Sequence, residues 1–335
     1  MDPITQGTLG AAAALAVFGK RGKVSPSVIG WAGALGGMAA DLDVLIQSST
    51  DPLLAIEYHR NFTHSLTFVP IGGTIAALPW LAVKKLREHF ALVWGASVLG
   101  YLTHAPLDCL TTYGTLFFWP WSNTRVALST ISIVDIVFTI PLLVAVIVAA
   151  RRGARTVARW GLLYAFVYLG LGAIQRDRAL DVQERLAKKR GTPIERADVF
   201  PSFMNLVAWR SVYSSNGRYY VDQVRVPFIG RNATTRGAVV QPALPPAGLG
   251  PRGERAHRLM RWFSNDWVAL DPDDPTVYGD LRYSFSPYDV TPIWGIRVDV
   301  PTDRVEWINN RPKRDIHLRD LRLLIFEDPP GSIHE

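Results

Sequence analysis

Residues 1–175 of this 335-residue chain carry only 12 Lys or Arg and 8 Asp or Glu, and between those charges lie long apolar runs. A helix rising about 1.5 Å per residue needs about 20 mostly apolar residues to cross the hydrocarbon core of a bilayer. Six segments approach that requirement: residues 4–19, 24–46, 65–83, 90–110, 127–150 and 160–174. The fifth is the clearest, with no charge between Ile136 and Ala150. The first and sixth are short and suit helices that are tilted, half-inserted or packed over the others. A soluble bundle of buried helices is the alternative, but six such segments in 175 residues leave it little polar surface. The expected fold class is mainly α: a polytopic helical membrane bundle of about five to six helices over residues 1–175, followed by a small soluble α+β domain over residues 176–335.

The second half looks different. It holds 24 Lys or Arg and 21 Asp or Glu. Residues 176–192 read as a polar amphipathic helix with Leu180, Val182, Leu186 and Ala187 among charges, ended by Gly191-Thr192-Pro193. Residues 206–213, 219–228, 277–285 and 293–300 are candidate strands, separated by turn signals such as Ser215-Asn216-Gly217 and Pro301-Thr302-Asp303. Residues 242–253 are rich in Pro and Gly and read as a loop.

Charge alternates between the loops of the first half. Lys20, Arg21 and Lys23, then Lys84, Lys85 and Arg87, then Arg151, Arg152, Arg155 and Arg159 fall on one side, while Arg60 and Arg125 fall on the other. The positive-inside rule places the first set in the cytoplasm and both termini outside. The six basic residues between Arg176 and Arg190 pull the other way, in a long tail where the rule is weak. The net charge of +7, spread over both halves, gives no reason to expect nucleic acid as a partner; the bilayer is the expected one. The N-terminus lacks the basic n-region of a cleavable signal, so the first segment is expected to be retained. A single cysteine, Cys109, rules out an intramolecular disulfide and a cysteine-based zinc site.

Ionisable side chains within membrane helices are costly and point to function. Here they are of one chemical kind. Asp41 and Asp43 end the second segment, His59 and His64 flank the start of the third, His104 and Asp108 end the fourth, Asp135 begins the fifth and Gln6 the first. With basic loops in the cytoplasm, all of them fall at the opposite, outer face. His104 and Asp108 are four apart and share a helical face, with a kink expected at Pro106. Asp41 and Asp43 are two apart and cannot share one. One of them sits where the helix ends, or orients a histidine from behind. Asn61 or Thr63 is the expected N-cap that brings His59 and His64 together. Asp135 is a further candidate, with Arg125 as its alternative partner. Imidazoles and carboxylates without thiolates suit Zn²⁺, Mn²⁺ or Fe²⁺. The candidate metal ligands are Asp41, Asp43, His59, His64, His104 and Asp108, enough for more than one ion. Asp43 and Arg60 are the candidate catalytic residues, Arg60 for gripping a phosphate oxygen. Tyr113, Phe117, Phe118, Trp119 and Trp121 read as an interfacial aromatic belt.

The stretches Met1-Asp2-Pro3-Ile4-Thr5-Gln6-Gly7, Ala40-Asp41-Leu42-Asp43, His59-Arg60-Asn61-Phe62-Thr63-His64-Ser65, Thr103-His104 through Asp108, Thr111-Thr112-Tyr113-Gly114 and Trp119-Pro120 resemble the YdjM-like family. The similarity covers about residues 1–150. It implies a membrane-bound, metal-dependent hydrolase, remotely similar to zinc-dependent phospholipase C and the P1-type nucleases, whose metals sit on helical His and Asp. Many members of the family carry His where this chain has Gln6. The expected function is therefore hydrolysis of a phosphoester or related ester, lipid-like in view of the site's depth, at a bacterial-type inner membrane. The rival expectations are a metal or ion transporter using the same cluster, and a non-catalytic scaffold with a structural metal.

Overall fold

Asp2 and Pro3 set the first helix. The Asp2 carboxylate accepts the Thr5 amide at 3.0 Å, and proline at the first helical position gives up an N–H that had no partner to find. Ser25 and Pro26 repeat the device at the second helix. The computed structural model describes residues 1–19, 23–310 and 332–334; Lys20 and Arg21 lie outside the described residues. The chain forms two compact units, one of Met1–Ile46 and Tyr58–Gly172, the other of Gln47–Glu57 and Ala173–Glu335.

The first unit is helical. It comprises α1 (Pro3–Phe18), α2 (Pro26–Ala39), the end of α3 (Leu54–Tyr58), α4 (Val69–Ala77), α5 (Lys84–Arg87), α6 (Phe90–Cys109), α7 (Ile136–Arg152) and the first half of α8 (Arg155–Arg190). Small residues let α1, α2 and α6 approach backbone to backbone. A Cβ on Gly36 would overlap the Ser97 carbonyl, and one on Gly100 would overlap the Gly33 carbonyl. Such contact is the main packing resource of helices in lipid, where apolar side chains gain nothing by leaving the tails. Outward faces stay apolar. Val137, Ile140, Val144 and Ile147 on α7, and Trp160, Leu163, Val167 and Leu171 on α8, are exposed at helical spacing.

The span count differs from the six segments of the sequence. Among the described residues, three helical stretches are long and apolar enough to cross a membrane: Pro26–Leu45, Phe90–Cys109 and Arg155–Arg190. A fourth is added if Leu54–His64 and Leu66–Ala82, bent by 64° at their break, count as one span. The third segment is one helical run, Leu66–Ala82, of mixed 3₁₀ and α character with Pro70 and Pro79 at the starts of its pieces, and the bend lies before it, between His64 and Leu66. The fifth shortens because residues before Asp135 form no helix, leaving 17 residues in α7. α1 has only 16. The sixth segment and the polar helix after it are one continuous 36-residue helix, α8.

The second unit, built of antiparallel sheets and helices, fits a soluble domain following a membrane part. Strands β1 (Arg196–Pro201), β2 (Ala208–Ser215), β3 (Arg218–Arg225), β4 (Ala233–Val240) and β9 (Ile333–His334) form one sheet in that order. Strands β5 (Val268–Leu270), β6 (Val277–Asp280), β7 (Trp294–Asp299) and β8 (Arg304–Asn309) form the other. β2, β3, β6 and β7 lie where the β-prone runs place them. The stretch read as a loop over 242–253 instead runs into α9 (Pro251–Phe263), which starts on a proline and buries Ala256, His257 and Met260. One face of the first sheet packs Val199, Trp209 and Val224 on Ala179 and Val182 of α8. The other packs Phe200, Val212 and Val221 on Trp267, Ala269 and Leu281. Arg210, buried on that second face, donates to the carbonyls of Leu281, Ser286, Pro287 and Asp289. Burial pushes its guanidinium down to about 10.

Candidate metal centre

α2 gives way at Ala40 to a 3₁₀ turn, Ala40–Leu45. At about three residues per turn, side chains two apart point in different directions. Asp41 and Asp43 therefore serve different neighbours. Asp41 Oδ1 lies 3.4 Å from both His64 Nε2 and His104 Nε2. Asp43 turns away from that point: Oδ1 accepts from His59 Nδ1 at 2.7 Å, and Oδ2 from the Arg60 amide at 2.9 Å and Thr63 Oγ1 at 2.8 Å, with His64 Nδ1 at 3.2 Å.

α6 runs unbroken through Pro106 to Cys109, so the kink expected there does not end the helix. His104 and Asp108 consequently face the same way. His104 Nδ1 donates to the Gly37 carbonyl at 2.5 Å, which leaves Nε2 as the free lone pair. The two Nε2 atoms stand 2.9 Å apart, and Asp108 Oδ2 is 3.3 Å from His64 Nε2 and 3.5 Å from His104 Nε2. His64 reaches the cluster from another 3₁₀ turn, Phe62–His64, whose Thr63 carbonyl is held by the Tyr101 hydroxyl at 2.6 Å. Neither Asn61 nor Thr63 acts as the expected N-cap: Asn61 makes no capping bond, and Thr63 bonds Asp43 instead.

The four atoms Asp41 Oδ1, His64 Nε2, His104 Nε2 and Asp108 Oδ2 lie within 4.8 Å of one another. Ligands about 2.1 Å from a tetrahedral ion stand about 3.4 Å apart. Five of the six edges, 2.9 to 3.5 Å, fit that figure. His64, His104 and Asp108 are fully buried. Asp108 Oδ2 has no hydrogen-bond partner among the described residues, and neither has Gln6 Oε1 beside it. A buried carboxylate oxygen that makes no hydrogen bond and stands 3.3 and 3.5 Å from two imidazole nitrogens, with Arg60 Nε at 3.4 Å, is a place that favours a cation. A divalent ion fits this donor set. Asp41, Asp43 and His59 form a second group within the same distance limit, with His59 partly open to solvent.

Arg60 sits at the rim of the first group with φ 63°, buried, its Nε 3.4 Å from Asp108 Oδ2 and its Nη1 donating to Thr111 Oγ1 at 3.0 Å. Tyr113 lies under its guanidinium and is buried, so it does not belong to the aromatic belt; Phe118 and Trp121 are exposed as a belt requires. Gln6 Nε2 donates to Asp108 Oδ1 at 2.9 Å, and the Met1 amino group donates to the same oxygen. Asp135 lies outside the cluster. It caps α7 through the amides of Val137 and Phe138 and accepts from Tyr168, while Arg125 bonds the carbonyls of Tyr113 and Gly114. The sequence reading had no means of finding Gly37, whose contribution is a carbonyl. Thr111 stood inside the motifs without a role, and Thr63 was expected only as an N-cap.

A helical unit with apolar outward stripes and a buried cluster of imidazoles and carboxylates able to hold a metal ion has the form of a membrane protein. The chain belongs to the family of YdjM inner membrane proteins, which it matches over residues 1–179. Over 113 residues it is 32% identical to inner membrane protein YbcI of Escherichia coli (strain K12), a match covering 32% of this chain and 62% of that relative. No solved structure matches the chain.

Proposed function

We propose that this protein is a metal-dependent hydrolase of phosphoesters or related esters, with zinc as the resident ion and Mn or Fe as chemical alternatives. The observation that carries the reading is the convergence of Asp41, His64, His104 and Asp108 at tetrahedral edge lengths, with an orphaned carboxylate oxygen among them. When bound, a divalent ion supplies Lewis acidity that makes water a nucleophile near neutral pH. The protein's own groups do the rest. Asp43 orients His64 and His59 through their Nδ1 atoms. Arg60, beside Asp108, is placed to hold an anionic oxygen of the substrate. His59, partly exposed, can exchange a proton with a departing group.

The site lies at the C-terminal ends of α2 and α6, away from the basic loops. Arg155 and Arg159 mark the other end, where they donate to the Ala16 carbonyl near the end of α1. With those loops in the cytoplasm, the protein is a multi-pass one, and the centre and the C-terminal domain face outward. A lipid-like or envelope substrate follows from that position.

Protein purified in detergent should carry about one tightly held ion per chain by elemental analysis, and His104→Ala should lose it. Metal content unchanged by His104→Ala would sink the centre. Retained metal with no turnover of any phosphodiester, phospholipid or carboxylic ester would leave the centre standing and remove the hydrolase.

A further inference from the structure

We propose that two loops of the second unit, the β1–β2 and β3–β4 connections, dip their apolar tips into the bilayer surface where α8 leaves the hydrocarbon. This rests on the membrane character of the family and not on the hydrolase reading.

The level is written along α8. Phe166, Val167, Leu171 and Ile174 are exposed and apolar, and Arg176, Asp177 and Arg178 begin the charged stretch. The helix therefore passes from acyl chains to headgroups at about residue 175. At that turn both loops are fastened. Gln175, 1% exposed, donates from Nε2 to the Leu206 carbonyl at 3.0 Å and the Val226 carbonyl at 2.6 Å. One turn on, Arg178 Nη2 donates to the Pro227 carbonyl at 3.0 Å, and its Nη1 to Gln175 Oε1. The clamp fixes the height of the loops against the helix.

Their tips are what a lipid surface selects. Ile229 is 94% exposed and Phe228 56%, with Phe203 exposed on the neighbouring loop. Arg231 follows two residues after Ile229, also exposed. An aromatic and an aliphatic side chain with a nearby arginine give one group for the acyl boundary and one for the phosphates. At the opposite end of the same sheet the β2–β3 turn is polar, Ser215-Asn216-Gly217-Arg218. Exposed apolar groups are therefore placed at the end of the sheet that α8 ties to the membrane boundary. The occupant is the bilayer, because the backbone carbonyls beside these tips are held by Gln175 and Arg178, next to the point where the exposed apolar residues of α8 end at Ile174.

The test uses the full chain with Cys109→Ala, in nanodiscs of phosphatidylethanolamine and phosphatidylglycerol. Ile229→Cys carries an environment-sensitive fluorophore, and Asn216→Cys carries it as the control. The expected result is blue-shifted emission at 229, with quenching by shallow spin-labelled lipids several-fold stronger than at 216. Adding Phe228→Ser should reduce that quenching at least twofold. Equal quenching at the two positions would overturn the proposal. So would a blue shift at 229 that lipid quenchers do not touch and that disappears in discs holding one chain, since a second copy would then cover the tip.

Discussion

Both oxygens of Asp43 are occupied by donors, whereas Asp41 Oδ1 points at two imidazole nitrogens. The first arrangement would position the ligands of an ion and the second would supply one. Asp43→Asn keeps the size of the side chain but turns one acceptor into an N–H₂ that must face the amide of Arg60, Thr63 or an imidazole. Loss of an orienting partner behind a metal-binding histidine lowers affinity by about 10–100-fold. A chelator competition titration should find that drop in a folded variant; unchanged affinity would mean that Asp43 does not set the His64 ring. The sequence left open which of the two carboxylates orients a histidine, because two residues apart on an α-helix or a 3₁₀ turn reads the same. The local backbone settles the geometry. His104 and Asp108 were legible because their spacing survives Pro106. Arg60 was legible as a cation next to a histidine, but its left-handed backbone and its position over Tyr113 were not.

Glycine carries the helix packing that makes the centre. α2 and α6 meet through Gly33, Gly36 and Gly100, and the same approach delivers the Gly37 carbonyl to His104. Gly100→Leu would force the helices apart, since its Cβ alone overlaps the Gly33 carbonyl. The expected consequence is loss of metal binding together with a lowered thermal transition of the detergent-solubilised protein. Overpacking of this kind costs about 1–3 kcal/mol and here moves backbone as well as side chains. Gly170 meets nothing within 4 Å, so Gly170→Ala, read in the same two assays, should behave as the parent. Full metal binding in Gly100→Leu would show that the His104–Gly37 contact does not depend on the glycine seam. Apolar composition announced these helices, yet hydropathy counts residues and not backbone breaks. That is why the third segment read as a full span although the bend before Leu66 leaves it short, and why 127–150 read as longer than α7. The missed helix α9 had a signal in Pro251 and in Ala256 and Met260 four apart, overshadowed by the Pro- and Gly-rich run before it.

At the scale of the whole chain, sequence order and structural grouping part company at Gln47–Glu57. Hydropathy assigns this stretch to a connection between the second and third apolar segments. It belongs instead to the second unit, where Leu53 and Ile56 are buried with Met260, Tyr278 and Ile296, and Arg255 pairs with Asp51 at 2.7 Å and with Glu57. No local pattern could reveal this, because the partners lie about 200 residues away and burial of two apolar side chains in a short helix looks the same as a solvent-facing turn. The ion pairs are partly exposed and contribute little; the apolar contacts carry the attachment. Ile56→Ala should therefore cost about 2–4 kcal/mol, and the loss should fall on the second unit although the mutation lies in the first sixth of the chain. Hydrogen exchange read by mass spectrometry separates the outcomes. Amides of α9 and β7 should exchange faster in Ile56→Ala, while those of α1 and α2 keep their protection. Unchanged exchange in α9 would show that Gln47–Glu57 is not part of that core. For the same reason, a fragment of residues 173–335 lacks two of its own core residues, and its α9 and β7 amides should be less protected than in the whole chain.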